Sequence, residues 1–252
     1  MNRFELARHL KTSPPIDRIF IIQDLCRGKS VLDLGCIRHS ATVALADPNW
    51  LHGKIREVAE SLVGIDYIPE EVKKLCDAGF DIRCRDVTGS LMVNKFDVIV
   101  AADLIEHLTN IDRFFTNCHK HLNDGGILII TTPNPFYADG YRYVTLKGNY
   151  LMNPEHTCWI DPYALSLLSA RYGFKVVDAR FITGGWKLGD VILEGEGHEY
   201  DIQNDTWHET KAQEILRHIV KKIWPSFKAS VLTRYADHII VLKSQYCRGE
   251  RQ

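Results

Sequence analysis

The sequence has little of what would direct a chain into a membrane or onto a polyanion. No apolar run in its 252 residues approaches the length of a bilayer span. Residues Met1 to Leu10 carry charge throughout and hold no apolar h-region, so no signal peptide is expected. Lysine plus arginine number 31 and aspartate plus glutamate 32, a formal net charge of −1. Without a basic excess, nucleic acid is not the expected partner. Seven cysteines stand at 26, 36, 76, 84, 118, 158 and 247; the count is odd and no two form a CxxC pair. A disulfide framework and a cysteine-built zinc site are therefore not expected, and a reducing, cytoplasmic setting is. The chain shows no internal repeat and no low-complexity tract.

What is there is alternation. Short apolar, β-like runs occupy Ser30–Leu34, Leu62–Ile65, Phe80–Cys84, Phe96–Ala101, Gly126–Ile130, Phe174–Val177 and His238–Leu242. Segments of helical period lie between them. Pro69-Glu70-Glu71 puts proline and acids in a first turn, Val72 and Leu75 face inward, and Gly79 ends that helix. Asp161-Pro162 opens another helix, which stops at Gly173. Strands separated by helices of this length predict βαβ units, an α/β fold with a doubly wound, parallel sheet. The runs at 96–101 and 126–130 are apolar almost throughout, as strands covered on both faces should be.

The expected organisation is one domain over 1–252 with two insertions. Residues 133–160, rich in Pro, Gly, Asn and Tyr, form a long lid-like loop. Residues 184–235 form a helical insertion, in which Ala212, Ile215, Leu216, Ile219, Val220 and Ile223 repeat at helical spacing. A helix packed on the domain is the expected reading; a homodimer contact or a cover over the substrate is its rival.

Chemistry gathers at strand ends. Val31-Leu32-Asp33-Leu34-Gly35-Cys36 is a buried strand ending in a glycine turn. In open α/β sheets ligands bind beyond the carboxyl ends of the strands. The second strand ends in Gly64-Ile65-Asp66, an acid placed to accept hydrogen bonds from a ribose diol. The third ends in Arg85-Asp86-Val87, where Asp86 can accept from an adenine amine. Three acids at three successive strand ends form one rim.

With these motifs the chain resembles the class I S-adenosylmethionine-dependent methyltransferases over roughly residues 16–183. VLDLGC resembles their first motif, GID their ribose acid and RDV their adenine-side acid. Phe96–Leu108 resembles their fourth strand and the turn after it, and Asn123–Pro135 their fifth. The resemblance implies a Rossmann-like, mostly parallel seven-stranded sheet whose last strand, near His238–Leu242, inserts antiparallel. It implies S-adenosyl-L-methionine as cofactor, held by Asp33, Gly35, Asp66 and Asp86, with Cys36, Tyr67, Val87 and Asp103 beside them. Arg18 is expected to meet the methionine carboxylate.

One departure stands out. The family usually continues GCGxG, whereas this chain reads Gly35-Cys36-Ile37-Arg38-His39. A pyrophosphate needs glycines over a helix N-terminus; S-adenosylmethionine has none, so the loss argues chiefly against a dinucleotide. The loop is expected to reach about Trp50-Leu51-His52 before helical pattern resumes. GC-x-x-H followed by WLH resembles methyltransferases found with glycan biosynthesis, which implies a sugar acceptor; plain loop packing is the rival reading of Trp50 and His52.

Asp103, Glu106 and His107 follow the fourth strand, and their spacing would put all three on one face of a helical turn. His156 comes later, in the long loop. Ubiquinone-biosynthesis O-methyltransferases and small-RNA 3′-terminal 2′-O-methyltransferases carry a similar Glu-x-x-Glu-His pattern plus a later histidine and bind a divalent metal with it. The resemblance thus offers Asp103, Glu106, His107 and His156 as ligands for Mg²⁺ or Mn²⁺. The rival reading makes His107, then His156, a general base with Glu106 in support. Tyr137, Tyr141, Tyr143 and Tyr150 are candidates for an acceptor pocket.

The expected activity is methyl transfer to a hydroxyl oxygen of a sugar or glycan. A quinone precursor or small phenol is the alternative, RNA 2′-O-methylation a third, and a non-catalytic cofactor-binding subunit the rival outside enzymes.

Overall fold

A computed structural model of the chain describes residues 1–91, 94–141, 153, 155–183, 219, 222 and 231–245. The helices are α1 (Arg3–Thr12), α2 (Arg18–Cys26), α3 (Ala41–Ala46), α4 (Leu51–Arg56), α5 (Pro69–Asp77), α6 (Ile111–His121), α7 (Pro162–Arg171) and α8 (Val231–Arg234). The strands are β1 (Ile16–Asp17), β2 (Ser30–Leu34), β3 (Ser61–Asp66), β4 (Ile82–Cys84), β5 (Phe96–Ala102), β6 (Leu122–Pro133), β7 (Phe174–Thr183) and β8 (Asp237–Ser244). They form one sheet in the order β1-β7-β8-β6-β5-β2-β3-β4.

The sheet is parallel except for β8, which runs antiparallel to both neighbours, β6 and β7. This is the mostly parallel, Rossmann-like arrangement that the sequence predicts. It carries one addition: β1, two residues long, pairs in parallel with the outer edge of β7. From β2 the chain winds outward through β3 and β4, then returns to β5 on the other side of β2. The reversal between β2 and β5 opens a crevice at their carboxyl ends.

Alternation along the central strands decides what each face buries. Val98 and Val100 of β5 join Ile21, Ile22, Val31 and Ile55 on one face, covered by α2 and α4. Ile99 and Ala101 join Leu32, Leu34, Phe114, Phe115 and Leu165 on the other, covered by α6 and α7. Each fully buried aliphatic side chain contributes about 1.5–3 kcal/mol. With both faces covered, the strands carry no polar alternation, which is why they read as continuous apolar runs.

Helix ends follow the sequence closely. Asp161 caps α7 by accepting from the N–H groups of Tyr163 and Ala164 at 2.8 and 3.2 Å. Gly79 and Gly173 close α5 and α7 at φ +87° and +78°. Other boundaries differ. The stretch expected as loop up to Trp50 contains α3, capped by Ser40. Strand β7 runs six residues beyond Val177, to Thr183. Asp178 and Arg180 interrupt its apolar run, and a bulge between Val176 and Asp178 accommodates them. Most of the insertion expected over 184–235, including Ala212, Ile215, Leu216, Val220 and Ile223, lies outside the described residues, as do Tyr143 and Tyr150. Ile219 is described and exposed.

Asn134 secures the return of the chain into β8. Its Nδ2 donates to the carbonyls of Leu232 and Tyr235 at 2.8 and 2.9 Å, and its N–H to Ala236 at 2.6 Å. Next along β8, His238 is fully buried, and neither ring nitrogen finds a hydrogen-bond partner among the described residues. Burial pushes its pKa down to about 4, against the pull of Asp161 and Asp103. The unfolded histidine titrates near 6.5. Above that value both states are neutral; below it the unfolded chain takes up a proton that the folded chain refuses. Stability is therefore lost as pH falls from about 6.5 to about 4, by about 3 kcal/mol. Urea midpoints between pH 7 and 4.5, compared with His238→Leu, check this: the variant should lose less stability on acidification. Parallel pH curves would show that His238 does not carry the effect.

Candidate active site

The strand ends meet as the sequence predicts, but their acids do different work. Gly35 follows β2 at φ +71°, and a Cβ there would lie 3.0 Å from Leu104 Cδ1. The left-handed backbone favours glycine, and a Cβ would also have to displace the Leu104 side chain by a few tenths of an ångström. The loop then hooks onto β3: the N–H groups of Gly35 and Cys36 donate to the Ile65 carbonyl at 2.8 and 3.3 Å. Asp66 receives the N–H of Ile37 at 3.0 Å and that of Tyr67 at 2.8 Å. Burial raises the Asp66 pKa, and the N–H groups of Ile37, Tyr67 and Ile68 oppose that rise. Tyr67 beside it is 74% exposed, so its ring is free to cover a ligand.

Asp33 does not face the crevice. Its carboxylate bonds His52 Nδ1 at 2.9 Å, both side chains being almost wholly enclosed. A carboxylate only accepts, so Nδ1 carries the proton. Cys36 is likewise buried beneath the loop. Asp86 is exposed and folds its carboxylate onto Thr88, whose N–H donates to it at 2.8 Å. Buried Val87 is fixed by Asn117 of α6, whose Nδ2 donates to the carbonyls of Val87 and Gly89 at 2.9 and 2.7 Å.

Asp103, Glu106 and His107 are not on one face of a helical turn. Asp103 sits at φ +50°, and the turn that follows, Ile105–His107, is 3₁₀. Asp103 is thereby aimed at Arg18, with a 2.6 Å contact, and receives Thr131 Oγ1 at 2.8 Å. Burial works against the charge of Arg18, but Asp103, Asp237 and Glu106 outweigh it and raise its pKa. Arg18 thus reaches the site from the start of α2, with its charge already matched by an acid.

Glu106 turns inward. Thr132 Oγ1 donates to its Oε2 at 2.9 Å, while Oε1 is buried without a partner among the described residues. Burial, then the charge of Asp103, pushes its pKa up to about 8. His107 and His156 meet edge to face with ring centroids 4.6 Å apart. Burial, then His107, pulls His156 down to about 4, which keeps it neutral. The sequence leaves the position of His156 open; Thr157 fixes it. Its N–H and Oγ1 donate to the Glu106 carbonyl at 2.7 and 3.0 Å, and Oγ1 also reaches Leu108 O at 3.0 Å.

One ligand atom each from Glu106, His107 and His156 lies within 4.8 Å of the others. The orphaned Oε1 and two imidazoles fit a divalent cation. Three of the four expected ligands therefore converge, and Asp103 is drawn off by Arg18. Thr131, Thr132 and Thr157 escape a motif search; the one signal for the first two is a pair of hydroxyls ending the apolar run Ile127–Ile130.

A doubly wound sheet with a glycine turn after β2, an acid ending β3 and a polar cluster after β5 gathers a candidate ligand site at the strand ends. The methyltransferase domain family matches residues 6–179, well over half the chain, and the chain belongs to that family. It is an S-adenosylmethionine-dependent methyltransferase. The ubiquinone biosynthesis O-methyltransferase of Coxiella burnetii is 27% identical over 202 residues, 76% of this chain and 79% of that protein. A SAM-dependent methyltransferase structure from Archaeoglobus fulgidus aligns at TM-score 0.55 and 18% identity, covering 96% of this chain and all of that one. The N-methyltransferase NodS of Bradyrhizobium japonicum, solved with S-adenosylhomocysteine, aligns at 0.51 and 14%, covering 96% and 98%. These two likenesses are of fold.

Among the described residues no helix is long and apolar enough to cross a membrane.

Proposed function

We propose that this chain transfers the methyl group of S-adenosylmethionine to a hydroxyl oxygen of a small molecule. The observation that carries the reading is the convergence of Glu106, His107 and His156 beside the β2–β5 crevice. Fold alone would leave the chemistry open. In the transfer, oxygen attacks the methyl carbon in line, the carbon–sulfur bond breaks, and the sulfonium becomes a thioether. The enzyme aligns the three atoms and removes the hydroxyl proton. His107 is the first candidate to take that proton and His156 the second. Asp66 receives the ribose diol, Gly35 lets the backbone approach, Tyr67 and Val87 flank the adenine, and Asp86 meets its amine. Arg18, balanced by Asp103, faces the methionine carboxylate. A divalent ion held by Glu106, His107 and His156 would supply Lewis acidity toward the acceptor oxygen.

For the acceptor, the relatives named for ubiquinone biosynthesis favour a phenol of the quinone-precursor kind. A sugar hydroxyl is the second reading. Its sequence support, Trp50 and His52, braces the cofactor loop and so says nothing of the acceptor.

The test uses methyl-labelled cofactor with a panel of catechols, nucleotide sugars, glycans and RNA, each with and without chelator. A labelled methyl ether on a catechol or sugar is expected, with turnover falling in chelator and returning with Mg²⁺ or Mn²⁺. Turnover unaffected by chelator would leave the imidazoles acting as bases alone. Label found only on nitrogen or on RNA would overturn the proposal.

A further inference from the structure

The loop after β2 holds no glycine between Cys36 and Trp50, yet it is tightly shaped. What shapes it comes from α4. Trp50 Nε1 donates to the Cys36 carbonyl at 2.8 Å, from a side chain only 5% exposed. Two residues on, His52 Nδ1 donates to Asp33 at 2.9 Å, beneath the same loop. The Trp50 and His52 rings pack together with centroids 5.2 Å apart, and Phe80 stands edge-on to the indole at 4.9 Å. Arg56 lies over the Phe80 ring at 4.4 Å. From the far side Glu71 receives the Ala41 N–H at 2.6 Å, and Arg38 pairs with Asp47. His39 holds φ +55° inside this frame, a conformation that a non-glycine residue keeps only when its surroundings impose it.

We propose that Trp50 and His52 are positioning residues for S-adenosylmethionine, bracing from below the loop that cradles it. A glycine-rich loop reaches its ligand-binding shape through backbone freedom. This loop reaches it through side chains: Cys36 is anchored by its carbonyl and its buried thiol, and Asp33 is held so that the β2 end cannot shift. The consequence is preorganisation, since a loop already ordered loses less entropy when the ligand binds. Both side chains are buried against the loop and β2, so both are expected to act on cofactor affinity and not on the chemical step. The inference rests on the cofactor and is independent of which hydroxyl is methylated.

The test measures S-adenosylhomocysteine binding by calorimetry on the purified full chain. Trp50→Phe keeps an aromatic ring and removes one donor; affinity should fall about fivefold to tenfold, the range for one lost hydrogen bond. His52→Ala should weaken binding further, and His52→Gln, which keeps a donor for Asp33, should recover most of the loss. Val72→Ala lies in the same apolar cluster but touches no loop carbonyl. It should lower the melting temperature and leave affinity unchanged, with all binding measured well below every melting point. Unchanged affinity in Trp50→Phe overturns the proposal. So does a loss in Val72→Ala as large as in Trp50→Phe, which would make the effect one of stability. Should His52→Ala fail to fold, Trp50→Phe against Val72→Ala decides alone.

Discussion

Replacing His107 by alanine should lower turnover by about 10²–10⁴-fold, the usual worth of a positioned base. Affinity for S-adenosylhomocysteine should not move, because the groups offered for cofactor binding, Arg18, Gly35, Asp66, Tyr67, Asp86 and Val87, stand on α2, β3 and the loops after β2, β3 and β4, and not on the turn Ile105–His107. A neutral hydroxyl is a poor nucleophile, so the loss should shrink as pH rises and the acceptor ionises unaided. Initial rates at saturating cofactor between pH 6.5 and 9.5, wild type against His107→Ala, provide the check. A variant as active as wild type would remove His107 from the chemistry and leave alignment as the catalytic device. The geometry argues otherwise: Thr157 clamps His156 against the turn that carries His107, by two bonds to one carbonyl.

Gly64→Ala should be nearly as damaging, for a different reason. A Cβ at Gly64 would lie 2.7 Å from Cys36 Sγ, 2.9 Å from His52 Cε1 and 2.9 Å from Ile82 Cγ1. All three are buried, one each from the cofactor loop, α4 and β4, so the added methyl displaces at least one of these elements. Overpacking of this kind costs about 1–3 kcal/mol. Cofactor affinity should fall together with stability. Urea unfolding and calorimetry on the variant measure the two losses. Gly140→Ala serves as contrast, since nothing lies within 4 Å of its Cβ position. Equal stability of the two variants would show that the layer under the loop is soft.

Much of the fold is legible in the residues. The central strands read as apolar runs because helices cover both faces, and Pro69, Gly79, Asp161 and Gly173 mark helix ends by their own conformational preferences. The edges read poorly. β7 carries Asp178 and Arg180 within its length, and β1 is two residues, too short to show a pattern, paired with β7 and packed on the core through Ile16.

The site divides the same way. Spacing placed the acids at the strand ends, but spacing assumes a regular helix, and a positive φ at Asp103 followed by a 3₁₀ turn sends Asp103 and Glu106 to different partners. His52 and Asp33 form a buried pair across the width of β2 and α4, which no local pattern encodes. Thr132 meets Glu106 only through the pairing of β5 with β6.

The antiparallel seating of β8 bears on how the molecule is made. β6 and β7 are not paired with each other; β8 fills the slot between them along nearly its whole length. A ribosome-bound chain that has not yet released residues 237–244 therefore presents two unpaired edges at once, one beside the central core. Such edges are templates for association with other chains. Closure has to wait for contacts far apart in sequence, which slows folding. Clipping β8 should be more harmful than clipping β1. The first leaves a gap in the middle of the sheet; the second trims its rim.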